Sequence, residues 1–296
     1  MRSRRVAVVQ AAPSLFDPPE TLRRFGELLA RAAAENAELV VFPEAFIGGY
    51  PKGATFGATV GARTAAGRAL FARYRRSAID DFDPLRRAVA ARRVHVVVGV
   101  VERAGHTLYC TALLIAPDGT LLGHHRKLVP TGIERLIWGQ GDASDVAVIA
   151  TDLGRVGMAI CWENYMPLYR GELYRQGVEL YCAPTVDSRD TWAATMRHIG
   201  VEGRCFVLSA TQFAVRGDYP PDFPLGDDPV VIRGGSCVVD PFGAPLAGPV
   251  FDREDVLVTD LDLDLLDGAY LDLDVSGHYA RPDLFQLTTT RRAPRV

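Results

Sequence analysis

An α/β fold with mixed sheets and helices on their faces is what this 296-residue sequence predicts. Three observations carry that expectation. Short apolar runs of strand character recur along the chain, and segments with apolar residues at helical spacing separate several of them. Hairpin signals at Pro117-Asp118-Gly119 and Asp152-Leu153-Gly154 interrupt this alternation. Helical crossovers imply parallel neighbours and hairpins imply antiparallel ones, so both kinds of pairing are expected.

The elements follow in order. "RVAVVQ" at 5–10 is a short buried strand. Leu22, Phe25, Leu28, Leu29, Ala32 and Ala33 then repeat at helical spacing, which places a helix over 19–35. "ELVVFPE" is a second strand, stopped by Pro43. "DPLRRAVAARR" and "VHVVVGVVE" give another helix and strand, and "TLYCTALLIAPDGTLLGHHRK" gives a hairpin. "VAVIATDLGRVGMAIC" is a second hairpin; "PLYRGELYRQG" and "VELYCAPT" are helix and strand. "TWAATMRHIGVEGR" is a helix leading into the strand "CFVLSATQ", and "GGSCVVDPFGAPLAGP" is a strand, turn and return. Residues 48–68, rich in glycine, and 216–230, with four prolines, are expected to be surface loops. The repeated LDLD at 261 and 271 lacks the ligand order of a calcium loop, so it is expected to be a strand end and a connecting helix.

Composition limits the function. With 48% hydrophobic and 23% charged residues the chain is globular in character, and a single domain over 1–296 is expected. The balance of 33 basic and 36 acidic residues gives a net charge of −3 with no isolated basic block, which argues against nucleic acid or an anionic membrane as partner. No apolar run approaches the ~18–20 residues of a membrane span. The run Val6 to Val9 is shorter than the ~7–15 apolar residues of a secretory signal. The five cysteines, Cys110, Cys161, Cys182, Cys205 and Cys237, are scattered without a CxxC pair, so neither a disulfide framework nor a zinc site is expected. Reduced thiols in a cytoplasmic enzyme fit this pattern.

Three chemically suggestive residues stand where strands finish: Glu44 after "VVFP", Lys127 after "LLGHHR" and Cys161 after "VGMAI". Loops beyond strand ends commonly build sites in layered α/β proteins. Singly, each is an ordinary turn carboxylate, surface charge or core thiol. Together they hold an acid, an amine and a sulfur.

"VVFPEAFIGGYPKG", "HHRKLVPTGIERLIWGQGD" and "GMAICWENYMPLYR" closely resemble the motifs of the carbon–nitrogen hydrolase (nitrilase) superfamily. The likeness continues through "MRHIGVEGRCFVLSATQ", "GGSCVVDPFGAPLAGP" and "GHYARPDLF", in the family's order over nearly the whole chain. The resemblance implies a four-layer α-β-β-α sandwich and a Glu–Lys–Cys catalytic set, here Glu44, Lys127 and Cys161. It places a second active-site carboxylate at Glu134, orienting Lys127 or positioning water. It implies neither metal nor organic cofactor, and it implies homo-oligomers built from dimers and extended in some relatives into spirals. His125 and His198 invite a Cys–His dyad, but the family does without one.

The chemistry is consistent with these residue types. Thiolate is the nucleophilic form of cysteine, an ammonium stabilises it, and a carboxylate takes the thiol proton. Lys127 and backbone N–H groups after the nucleophile are expected to stabilise charge on the adduct. "CWENYMP" and "RKLVPTGIERLIWGQGD" look like the nitrilase branch, which implies conversion of an organic nitrile to the acid and ammonia through a thioimidate. Amidases, carbamoylases and cyanide dihydratases of the superfamily are the alternatives. Tyr50, Thr131, Trp162 and Trp192 are the candidate substrate-binding residues. Ala143 stands in "GQGDAS" where nitrilases usually carry glycine, so a slightly different local turn is expected.

Overall fold

Strand β1 (Ser3–Gln10) sends alternate side chains into two different cores: Val6 and Val8 into one, Ala7 and Val9 into the other. A strand covered on both faces needs this continuous apolar run. The computed structural model describes residues 2–290. After β1 come α1 (Pro18–Ala34), β2 (Leu39–Val41), the small hairpin β3 (Ala58–Thr59) and β4 (Ala62–Arg63), and helices α2 (Ala65–Ser77) and α3 (Asp83–Arg92). Strands β5 (His95–Ala104), β6 (Thr107–Ile115) and β7 (Leu121–Arg126) complete the first half. The second half runs β8 (Ile149–Thr151), β9 (Gly154–Met158), α4 (Pro167–Arg175), β10 (Leu180–Thr185), α5 (Asp190–Gly203) and β11 (Phe206–Thr211). It closes with β12 (Phe213–Val215), β13 (Val230–Val239), β14 (Pro245–Phe251), β15 (Asp255–Asp262) and α6 (Leu265–Asp272).

Two sheets result. The first has the order β15-β1-β2-β5-β6-β7, parallel from β1 to β5 and antiparallel beyond. The second has the order β12-β13-β11-β10-β9-β8, parallel through β9, β10 and β11, with β14 added to β13. Val41, Val97 and Leu114 of the first sheet share the intersheet core with Met158, Cys182 and Leu208 of the second. Phe25, Leu28 and Leu29 of α1 and Leu85 of α3 cover the outer face of the first sheet. Tyr169 and Leu173 of α4, with Met196 and Ile199 of α5, cover the second. Three cores between four layers make the α-β-β-α sandwich.

Local chemistry explains most boundaries. Asp17 caps α1 by accepting from Glu20 N, and Pro18 opens the first turn, where its missing N–H costs nothing. The β3–β4 hairpin and the start of helix α2 fall inside the expected loop at 48–68, and β13 begins at the last residue of the one at 216–230. Thr64 caps α2 by accepting from Gly67 N at 3.0 Å. Gly67 is small because a Cβ there would stand 1.9 Å from Phe56 O, so this glycine serves close approach within a helix. Ala143 opens a single 3-10 turn, Ala143–Asp145, capped by the Asp142 side chain, and it does not take a positive φ.

Candidate active site

The two sheets deliver the three strand-end residues to one place. Glu44 lies three residues past β2, Lys127 directly follows β7, and Cys161 lies three residues past β9. The turn holding Glu44 is laced to β5 by Phe42 N to Val97 O at 2.8 Å, Gly99 N to Pro43 O at 3.2 Å and Ile47 N to Gly99 O at 3.1 Å. A Cβ on Gly99 would meet Pro43 O at 2.3 Å, so only glycine lets the turn lie on the strand. Lys127 is pinned by its own backbone, donating to Cys110 O and accepting from Gly141 N, both at 2.8 Å. Cys161 begins the 3-10 turn Cys161–Tyr165 with φ +50°, a left-handed conformation unusual for a residue with a side chain. The strand therefore ends before the cysteine, and the sulfur is presented by a strained turn.

Lys127 Nζ donates to Glu44 Oε1 and to Glu134 Oε2, each at 2.7 Å, and all three side chains are buried. Glu134 is held in turn by the Tyr50 hydroxyl at 2.9 Å on Oε1 and by Thr131 N at 2.7 Å on Oε2. The Cys110 thiol donates to Glu44 Oε1 at 3.5 Å, and the Lys127 ammonium lies 5.8 Å from the Trp138 ring centre. Glu44 Oε2 has no hydrogen-bond partner, which leaves one buried carboxylate oxygen open on the residue beside Cys161.

The electrostatics follow from burial. Desolvation raises the Glu44 carboxyl and the Glu134 charge adds to this, outweighing the opposing pull of Lys127. Burial pulls Lys127 down, but the Glu44 and Glu134 charges more than offset it, so the ammonium is held well above its usual range. The Cys161 thiol is pushed up by burial and then by Glu44, against Lys127. The surroundings hold a neutral thiol beside a carboxylate of raised proton affinity, the arrangement in which the carboxylate takes the thiol proton. Attack then requires proton transfer to that carboxylate.

The other predicted residues separate into groups. Tyr50, Thr131 and Glu134 line one small cavity of about 140 Å³ with Pro51, Ile133 and Ile137. Trp162, next to Cys161, keeps 42% of its surface exposed, donates to Asp187 Oδ2 at 2.9 Å and carries the Arg189 guanidinium 4.9 Å over its ring. Trp192 is not brought to this cluster: it is buried between α5 and the second sheet and donates to Ser209 Oγ at 2.9 Å. His125 is buried against Glu163, and His198 is exposed on α5 beside Glu202. Among the described residues no group of three or more His, Cys, Asp or Glu is arranged to hold a metal ion.

Sequence reasoning missed Cys110, Trp138 and Glu163. Cys110 carried a weak signal, since it lies on the strand paired with the one that ends at Lys127.

Comparison with known proteins decides the family. The carbon–nitrogen hydrolase family model matches residues 5–270. The chain belongs to that family. This hydrolase is 51% identical to the bifunctional nitrilase/nitrile hydratase NIT4B of Nicotiana tabacum, over 96% of the chain and 85% of the relative. It is 53% identical to an aliphatic nitrilase of Sinorhizobium fredii, over 96% of the chain and 94% of the relative. Among solved structures, the hydrolase fold is shared with an amidase from Nesterenkonia sp. at 23% identity and TM-score 0.68, over 91% of this chain and 95% of that one. The C. elegans NitFhit protein matches 99% of the chain, and 68% of its own, at 20% identity and TM-score 0.74.

Proposed function

We propose that this hydrolase is a nitrilase converting an organic nitrile and two waters to the carboxylic acid and ammonia. The observation that carries the choice of nitrile is the identity of 51% and 53% to relatives named for nitrile hydrolysis, along nearly the entire chain. Cys161 Sγ attacks the nitrile carbon while its proton passes to Glu44 Oε2, the carboxylate oxygen without a partner. That proton moves on to the nitrile nitrogen, leaving a neutral thioimidate. Water, deprotonated by Glu44, adds to the thioimidate carbon. Lys127, fixed between two carboxylates, stabilises the adduct. Nitrogen departs as ammonia, a thioester remains, and a second water releases the acid and restores the thiol. Glu134 orients Lys127, and Tyr50 and Thr131 form the adjoining wall.

Trp162 is proposed to form the wall beside the nucleophile. The enzyme is proposed to act in the cytoplasm as a homo-oligomer built from dimers. Five unpaired, buried thiols support the first, and exposed Leu168, Leu284 and Phe285 support the second.

A panel of nitriles and the matching amides, scored for ammonia, acid and amide, tests the reaction. Cys161→Ala is expected to abolish acid and ammonia release with an unchanged far-ultraviolet spectrum. Intact-mass analysis of the wild type with substrate should place the adduct on Cys161. Acid and ammonia formed from amides alone would move the chain to the amide-hydrolysing branch.

A further inference from the structure

Glu163, two residues past Cys161, is fully buried yet serves two separate elements. Its Oε2 accepts from Ile160 N at 2.7 Å, and its Oε1 accepts from Leu128 N at 2.6 Å. Ile160 immediately precedes Cys161, and Leu128 immediately follows Lys127. His125 Nε2, on β7, lies 3.1 and 2.9 Å from the same two oxygens. The Tyr169 hydroxyl donates to Met158 O at the end of β9, so it offers His125 only an acceptor. Nε2 therefore carries the imidazole proton and donates to Glu163. A simple turn cap would need only the Ile160 bond. The bonds to Leu128 and His125 reach the other sheet.

We propose that Glu163 is a positioning residue, clamping the backbone beside Lys127 to the backbone beside Cys161 across the gap between the sheets. Hydrogen bonds to a buried carboxylate are the strong, geometrically demanding kind. No other side chain hydrogen-bonds the direct neighbours of both reactive residues, among the bonds of the described residues. This inference rests on reading Cys161 as the nucleophile.

Glu163→Gln tests it. An amide has one acceptor oxygen, so its NH₂ must face the Leu128 or the Ile160 N–H, donor against donor, and one arm of the clamp is lost. Misplacement by about 1 Å costs on the order of 100-fold in rate. With active sites counted by Cys161 labelling, kcat per site is expected to fall roughly 10- to 100-fold, with KM within about threefold. The rate of Cys161 alkylation by iodoacetamide is expected to fall in parallel. Glu163→Asp keeps the charge but is too short for both arms, and it should show the same losses. A per-site kcat and alkylation rate within about twofold of wild type would overturn the proposal, whatever happens to the melting temperature. Failure of both variants to fold would also overturn it, since the carboxylate would then serve the fold and not the pair. A wild-type enzyme inert toward nitriles would sink the functional reading alone, because the alkylation rates still decide the clamp.

Discussion

Removing the ammonium from the buried acid–amine–acid cluster is the most direct physical test of the site. In Lys127→Met, Glu44 and Glu134 each lose a 2.7 Å charged hydrogen bond in a site where neither is more than 8% exposed. Breaking a buried pair by deleting one partner costs about 3–5 kcal/mol, because the remaining charge is left uncompensated. At roughly 2–4 °C per kcal/mol for a chain of this size, the melting temperature should drop by about 6–20 °C at pH 8. The sign of the pH dependence is fixed by linkage. Without Lys127 the buried Glu44 carboxyl, already raised, loses the charge that pulls it down, so the folded state is favoured below the unfolded value of about 4.3, and this advantage is lost as pH rises through the raised value. The gap between variant and wild type should therefore be largest at pH 8 and shrink toward pH 5. Thermal unfolding at a fixed scan rate, read by circular dichroism across that range, is the assay. Adding Glu134→Gln to Lys127→Met should recover part of the loss. A variant as stable as wild type at pH 8, or a gap that stays constant with pH, would refute the account of a strongly coupled buried cluster.

Two further outcomes follow from the same geometry. Burial and then the neighbouring Glu134 charge raise Glu44, against Lys127, so activity should fall with decreasing pH at a midpoint above the ordinary carboxylate value of 4.5, and Glu134→Gln should move that acid limb to lower pH. A kcat/KM profile settles it; an unmoved limb would remove Glu44 as the titrating base. Trp162→Ala should raise KM for aromatic nitriles about threefold to tenfold, the worth of one aromatic contact, with kcat within about twofold. Steady-state kinetics on matched aromatic and aliphatic nitriles would check it, and equal effects on both would mean that the indole does not face the substituent.

Most of the fold was legible because its strands are long in signal. Val96 to Val101 or Leu180 to Ala183 are apolar at every position, as strands between two cores must be. Glu44 and Cys161 stood out because each follows such a run within a few residues, and Lys127 because it follows the second strand of a hairpin. Helix α2 was hidden because it buries only Gly67, Tyr74 and Ser77, which leaves little apolar periodicity to read. Trp192 has no motif beside the catalytic residues in the chain, and its helix turns the indole to the outer layer. Glu163 stood in plain view beside Cys161. Its significance depends on Leu128, thirty-five positions away, and spacing along the chain carries no trace of that meeting.

The division of the acid and amine from the thiol between two stacked sheets makes their separation depend on how thick the packing between those sheets is. Ile149 and Met158 approach Gly123 there, where even a methyl group would meet Ile149 Cδ1 at 2.4 Å. Bulk introduced at that seam would pry donor from acceptor without touching any reacting atom. Tuning the enzyme's rate through residues that never meet the nitrile thus becomes a matter of carpentry between two boards.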